Sequence, residues 1–388
     1  MVMLSLVEPF VIFLSLYILV VFIMLLFAYE NELFRSNRKT KWRPLVSVVI
    51  PAYNEENNIR RCIESLLNAN YPRNKIEIIV VDDGSKDRTA EIASSYKGVI
   101  VLKKPNSGKA DSLNYGIKHA KGEIIATLDA DSYITKDAIL KMLPLFSKDA
   151  KAVTAAVLVD NPKNLIEQLQ EVEYVFTIFS RKVLEAIDAI HVTPGPFSMF
   201  RREVFEQIGG FDRNNILEDQ EIAMRMQKYN LKIRASTDAV VYTKVPENME
   251  QLLKQRTRWH RGGLRNSITY LELVSPKYGD LGVFVMPLQF VSIVTLFLIF
   301  VFVLHKTFSP APPMTLEFLL FYTFSPLMVC ALVILMLTFL WVYYGAQKMG
   351  AKLKPHMVFT YVVSYAYLIT LFWASAFLKE ITGSKLSW

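Results

Sequence analysis

Four stretches of this chain are apolar over about 20 residues or more, the length that crosses a bilayer, and they bracket one long polar segment. They run roughly over Leu4–Ala28, Leu281–Leu304, Leu316–Tyr343 and Met357–Leu378. The polar segment must therefore fold in water around its own core, held at a membrane by what flanks it. Hydrophobic residues make up 52% of the chain and mean hydropathy is +0.26, both raised by these clusters. The first stretch lacks a basic start, exceeds the apolar run of a secretory signal and is followed by no small-residue cleavage site. It is predicted to be an uncleaved anchor. The other three are too long and too dense in Phe, Leu and Val for buried helices of a soluble core.

Charge near the span ends sets an expected orientation. Arg35, Arg38, Lys39, Lys41 and Arg43 follow the first span, Lys348, Lys352 and Lys354 lie between the third and fourth, and His305–Thr315 carries only Lys306. The central segment and the Lys348 loop are thus predicted to be cytoplasmic, with both termini outside, in a multi-pass protein of the plasma membrane. The net charge of +8 fits a surface facing anionic lipid. Nucleic acid is not an expected partner, because no basic run is interleaved with aromatics. Cys62 and Cys330 have neither partner nor metal-ligand spacing and read as reduced packing residues, and the five histidines show no zinc spacing.

Between Leu45 and Lys244 the pattern alternates strand and helix. Leu45–Pro51, Ile76–Asp83, Val99–Lys103 and Glu123–Asp129 are short and rich in Val and Ile; Glu55–Asn70, Asp87–Tyr96 and Gly108–Ala120 carry helical spacing. Near-continuous apolar strands alternating with helices predict an α/β fold whose sheet is largely parallel and buried on both faces. Such sheets bind ligands beyond the carboxyl ends of their strands. Polar clusters fall there: Ala52-Tyr53-Asn54-Glu55, Asp82-Asp83-Gly84-Ser85 and Asp129-Ala130-Asp131. Each alone reads equally as a turn; three at one sheet edge do not. Further on, Glu218-Asp219 opens a predicted helix over Gln220–Tyr229, and Gln255-Arg256-Thr257-Arg258-Trp259 lies on a predicted amphipathic interfacial helix over Met249–Leu264. Leu165–Ile190 reads as a long helix suited to core packing or to membrane docking.

Taken in order, Pro51-Ala52-Tyr53-Asn54-Glu55, Val81-Asp82-Asp83-Gly84-Ser85, Gly108-Lys109, Asp129-Ala130-Asp131, Glu218-Asp219 and Gln255-x-x-Arg258-Trp259 resemble glycosyltransferase family 2. The last element is similar to its membrane-embedded branch, which includes cellulose, chitin, hyaluronan and poly-N-acetylglucosamine synthases. The resemblance runs from about residue 45 to 265. It implies a GT-A (Rossmann-like) nucleotide-sugar-binding domain inserted between transmembrane helices, a UDP- or GDP-sugar donor, a divalent cation and inversion at the anomeric carbon. The implied organisation is an anchor over 1–30, a basic linker over 31–44, the cytoplasmic GT-A domain over 45–247, an interfacial region over 248–280 and three transmembrane helices over 281–388.

The resemblance also implies roles. Ala52, Tyr53, Glu55 and Asp83 face the nucleoside of the donor, Lys109 its phosphates, and Asp129 the donor. Asp131 holds the cation, for which hard oxygen ligands favour Mg2+ or Mn2+. Asp219 is the base; a place near the positive end of its helix predicts a lowered pKa. Arg258 holds the diphosphate, while Gly195 and Pro196 of the turn Thr193–Ser198, with Gln255 and Trp259, meet the acceptor. Arg256, Arg261 and Arg265 are expected to dock on anionic lipid. The chain departs from the polymer-secreting members in lacking a Phe-x-Val-Thr-x-Lys segment after the Arg-Trp pair. Its spans carry few polar groups for a sugar path, Gln289 and Ser325-Pro326 being the main ones. The expected acceptor is therefore a lipid-linked saccharide extended by one or a few sugars; the alternative is a processive synthase acting on a growing saccharide. A sensor or a transporter fits less well, since the acidic set is complete and the spans are nearly free of ionisable groups.

Overall fold

The structure, a computed structural model, describes residues 7–34, 40–308 and 325–383. Arg35, Arg38, Lys39 and the start of the third predicted span lie outside the described residues. Eight strands form one sheet: β1 (Val46–Ala52), β2 (Ile76–Asp82), β3 (Val99–Lys103), β4 (Ile124–Leu128), β5 (Ser132–Ile134), β6 (Ala150–Val159), β7 (Phe197–Arg201) and β8 (Lys232–Thr243). Their spatial order is β3-β2-β1-β4-β7-β6-β8-β5.

The half built from β3, β2, β1 and β4 is parallel, as the sequence predicts. The other half corrects that expectation. There β7 runs antiparallel to both β4 and β6, and β5 antiparallel to β8, so the sheet is mixed. Strands β6 to β8 carry no motif and pair across long sequence separations, which a local reading does not see.

Period-2 alternation gives the parallel half two buried faces. Val46, Val48 and Ile50 pack with Ile59, Cys62, Ile63 and Leu66 on one side; Val49, Ile79 and Val81 pack with Ala110, Leu113, Ile222 and Met226 on the other. Each fully buried Val, Ile, Leu or Met among them contributes about 1.5–3 kcal/mol relative to exposure. The covering helices are α1 (Val7–Leu33), packed below against the other spans, then α2 (Ile59–Leu67), α3 (Thr89–Ser94), α4 (Lys109–His119), α5 (Ala138–Met142), α6 (Leu165–Leu184), α7 (Arg202–Ile208) and α8 (Glu218–Lys228). After β8 come α9 (Met249–Thr269), α10 (Met286–Phe308), α11 (Pro326–Met349) and α12 (Pro355–Ile381).

Among the described residues, four helices are long and apolar enough to cross a membrane: Pro9–Leu33, Leu281–Leu298, Pro326–Met349 and Pro355–Ile381. Their outward faces leave Phe13, Met24, Phe27, Leu332, Met336, Phe359 and Tyr367 exposed, a larger apolar surface than a protein ordinarily shows to water. Of the two readings of helix α6, core packing is the one its contacts match. A capping box at Asn164 and Glu167 starts it, one face meets β6 and β8, and Leu169, Val172 and Val175 pack against Val342, Ala346, Met357 and Val358 of α11 and α12. This helix ties the sheet to the spans.

Candidate active site

The carboxyl ends of β1, β2 and β4 open onto one cavity of about 360 Å³. Seven of the predicted donor and metal residues line it: Ala52, Tyr53, Glu55, Asp83, Lys109, Asp129 and Asp131. Tyr53 is exposed at the rim, in place to pack on a planar ring. Asp83 accepts from the backbone N–H groups of Ser107 and Gly108 at 3.0 and 2.8 Å and from Lys104 Nζ, pinning the loop before α4 to the end of β2. Gly84 permits that loop: its φ is +77°, and a Cβ there would lie 2.9 Å from the Asn106 nitrogen.

Charge is concentrated on the far wall. Burial raises the Asp131 carboxyl to about 6, with Asp129 and Glu55 adding repulsion. Burial likewise raises Glu55, against the pull of Asn58, whose Nδ2 donates to it at 2.6 Å. Lys109, at the first turn of α4, points its Nζ to within 2.6 Å of Asp129 Oδ1 and 3.2 Å of Glu218 Oε1. Those carboxylates hold its pKa above the usual lysine range despite burial. The sequence indicated Lys109 as a phosphate ligand and gave no sign of this bridge to Glu218. Cys62, buried, has its Sγ 3.7 Å from the Asp129 carbonyl oxygen, consistent with a packing role.

A second cavity of about 260 Å³ is lined by Tyr174, Arg181, Pro194, Pro196, Leu217, Asp219, Gln220 and Trp259, among others. The segment before β7 separates the two. Thr193 donates from its N–H and its hydroxyl to the Asp219 carbonyl oxygen at 3.1 and 2.8 Å, and the Gly195 N–H lies 3.3 Å from Asp219 Oδ2. A Cβ on Gly195 would sit 2.6 Å from Lys109 Nζ and 2.9 Å from Asp129 Oδ2. Gly195 is thus the thin wall between the carboxylates of the first cavity and Asp219 in the second.

Asp219 corrects the expected direction of its pKa. It does lie in the first turn of α8, and Oδ1 accepts from the Gln220 N–H at 2.8 Å. Burial and the neighbouring Glu218 carboxylate nevertheless outweigh that help and raise it to about 6. Its proton affinity is that of a base working near neutrality.

Helix α9 carries Trp259 into the second cavity, and three of its arginines have partners within the protein. Arg256 is 1% exposed, donates from Nη2 to Glu173 Oε2 of α6 at 2.6 Å, and lies with its Cζ 4.1 Å from the Trp259 ring centroid. Arg261 and Arg265 both donate to Glu380 of α12, at 2.9 and 2.7 Å. The three arginines read from sequence as docking on lipid thus face two carboxylates of the protein itself. Gln255 accepts from Arg256 Nη1 at 3.0 Å. Arg258 is partly buried on α9 and is not among the residues lining the first cavity.

A third cavity of about 220 Å³ shares Leu217, Gln220 and Trp259 with the second and continues between α9, α10 and α12, past His260, Gln289, Ile293, Leu296 and Trp373. The His260 ring stacks on Trp373 with centroids 4.6 Å apart; burial, then Arg256, lowers its pKa to about 3. Gln289 donates to Ser267 Oγ at 3.0 Å. Ser325 instead caps α11, accepting from the Met328 N–H at 3.2 Å.

Residues 47–209 match the family model described as glycosyl transferase family 2. The poly-beta-1,6-N-acetyl-D-glucosamine synthase of Staphylococcus epidermidis is 33% identical over 225 residues, 56% of this chain and 54% of that one. A probable glycosyltransferase of Bacillus subtilis is 31% identical over 246 residues, 60% of this chain and 59% of that one. The chain therefore spans little more than half the length of these curated relatives. A mannosyltransferase from Pyrobaculum calidifontis, solved in complex with GDP-Man and Mn2+, superposes with a TM-score of 0.64 at 18% identity, covering 98% of this chain and 100% of that one. That likeness shows a shared GT-A-like fold, which in this chain is flanked by long apolar helices. With the acidic clusters of β1, β2 and β4 gathered on one cavity and the family model covering the strands that bear them, residues 47–209 are a glycosyl transferase family 2 domain.

Proposed function

We propose that this protein is a membrane-bound, metal-dependent, inverting glycosyltransferase. It moves a hexose or N-acetylhexosamine from a UDP- or GDP-sugar to a lipid-linked saccharide at the cytoplasmic face of the plasma membrane. The observation that carries this reading is the wall at Gly195, which sets the cluster around Asp129 and Asp131 on one side and Asp219 on the other. Two substrates can thus approach one point from opposite directions.

Asp131, Asp129 and Glu55 crowd negative charge into a buried site, to the extent that Asp131 holds its proton up to about 6. Among the described residues no three such side chains close on one point, so Asp131 would be the main protein ligand of a hard divalent cation that takes its other oxygens from the diphosphate and water. Such a cation, when bound, neutralises charge developing on the departing diphosphate. Lys109 fixes the Asp129 carboxylate, and Tyr53 and Asp83 bound the nucleoside end. Asp219 accepts the proton of the acceptor hydroxyl as that oxygen bonds to the anomeric carbon. The bond from that carbon to the diphosphate breaks on the opposite side, its electron pair leaving with the diphosphate. A single displacement inverts the centre and needs no second carboxylate. Trp259 offers a stacking face for the acceptor sugar.

The Pyrobaculum neighbour's GDP-Man and Mn2+ support a nucleotide sugar and a divalent cation as ligands. The Lys and Arg pattern at the span ends supports the cytoplasmic placement. A processive synthase is the second reading, favoured by the names of the staphylococcal relatives and by the third cavity running on past Trp259. Product length decides between the two. A lipid-linked saccharide lengthened by one sugar supports the first reading; a ladder of long chains supports the second.

A further inference from the structure

We propose that Arg181 makes the second cavity an anion-binding subsite, and that the acceptor carries a phosphate close to the hydroxyl that is glycosylated. This rests on the glycosyltransferase reading above and specifies its acceptor.

Four other buried or half-buried cations around the site each have a carboxylate partner. Lys109 has Asp129 at 2.6 Å, Lys182 has Glu185 at 2.9 Å, Arg256 has Glu173 at 2.6 Å and Arg261 has Glu380 at 2.9 Å. Arg181, in the last turn of α6, is the exception. Half-buried, it lines the cavity with Asp219, yet among the described residues its side chain has neither a hydrogen bond nor an ion pair, its carbonyl alone accepting from the Glu185 N–H. A cation serving only the end of its helix would reach the last carbonyls. Val157, Ile178, Val192 and Leu217 give the cavity apolar walls, and its other charged groups are Asp219 and Glu173, the latter answered by Arg256 at 2.6 Å. An arginine cannot shed its charge to escape such surroundings. Burial pushes it down to about 10 while Asp219 pulls the other way, so the carboxylate is near enough to be felt without pairing.

An anionic ligand supplies what is missing. The planar fork of a guanidinium matches phosphate oxygens two at a time. Phosphate on a lipid fits the surroundings best, because the cavity shares Leu217 and Trp259 with the one that runs between α9, α10 and α12 past Ile293 and Leu296. With phosphate at Arg181 and base at Asp219 inside one cavity of about 260 Å³, only a sugar near the phosphate reaches the base. Transfer of one or a few sugars follows.

The test uses the full chain in nanodiscs and reads binding by Trp fluorescence. The probes are a polyprenyl phosphate, the matching neutral polyprenol and a soluble hexose 1-phosphate. Wild type should hold the lipid phosphate at least about ten-fold more tightly than the alcohol, the scale of a charge-assisted hydrogen bond. Arg181→Gln should erase that preference and Arg181→Lys should keep part of it, with nucleoside diphosphate binding unchanged in both. Binding of hexose 1-phosphate as well places the recognition on the phosphate alone; binding of the lipid phosphate only adds the chain, and either supports the subsite. Equal affinity for phosphate and alcohol in wild type, or a preference intact in Arg181→Gln, overturns it. Loss of nucleotide binding by wild type would instead overturn the glycosyltransferase reading, so the two failures are told apart.

Discussion

Lys109 Nζ lies 2.6 Å from Asp129 Oδ1, and the place beside them where another residue would carry its Cβ is left open by Gly195. The pair joins α4 to the end of β4, and the glycine lets the segment before β7 close against it.

Gly195→Ala is therefore expected to injure the site more than the fold. Its Cβ would sit 2.6 Å from Lys109 Nζ, a side-chain tip able to move, so the stability cost should stay near 1–2 kcal/mol, in the range of local overpacking. Displacing Lys109 and Asp129 should weaken nucleotide-sugar binding about ten-fold or more. Isothermal calorimetry alongside thermal unfolding separates the two effects; unchanged affinity would remove Gly195 from the donor wall.

Asp219→Asn should leave donor binding nearly intact and lower transfer by about 10²–10⁴-fold, the usual contribution of general-base catalysis. Turnover above half of wild type at saturating donor would exclude Asp219 as the base.

The raised Asp219 pKa sets two pH dependences. Transfer should fall as pH drops through about 6, where the carboxylate takes up a proton, and this limb should vanish with the residual activity of Asp219→Asn. For stability, the folded protein holds this proton to a higher pH than the unfolded chain, so the group costs stability as pH rises from about 4 to 6 and thereafter. Asp219→Asn should accordingly have a higher Tm than wild type at pH 7.5, the gain shrinking toward pH 4. An acidic limb well below pH 5 would contradict the burial of this carboxylate.

Asp131→Ala should weaken metal-dependent binding of nucleoside diphosphate, and chelator should stop wild-type turnover, with Mn2+ or Mg2+ restoring it. Full activity in chelator removes the cation from the mechanism.

Trp259→Ala should lose acceptor use about ten-fold or more, by analogy with aromatic stacking on bases, while donor binding stays, because the metal side of the site is separate. Arg256→Gln, which leaves Glu173 buried without its cation, should destabilise by about 3–5 kcal/mol, so its activity is readable only at temperatures where its fold persists. Wild-type transfer by Trp259→Ala at sub-saturating acceptor would contradict the stacking role.

What the sequence revealed was local. The clusters after β1, β2 and β4 are short motifs at strand ends, and six of their predicted residues meet on one cavity, with Lys109 from the start of α4 as the seventh. What it concealed was long-range. β7 reaches β4 through pairs such as Ala126 with Met199, and neither strand's residues announce the other. Arg256 and Glu173 lie 83 positions apart, so nothing in the basic run of α9 shows that its charge is answered from within. The direction of the Asp219 shift escaped for the same reason: a helix start is visible in sequence, burial beside Glu218 is not.

The central claim is that donor cleavage depends on Asp219 and on an acceptor. It is tested most directly by measuring nucleoside diphosphate release from a panel of UDP- and GDP-sugars. Wild type and Asp219→Asn, each in nanodiscs with Mn2+, are compared with and without membrane lipid extract as acceptor source. The account predicts release by wild type from at least one donor, stimulated by the extract, and its loss in Asp219→Asn with diphosphate binding retained. Equal release by the two proteins, or none from any donor by folded wild type, would contradict it.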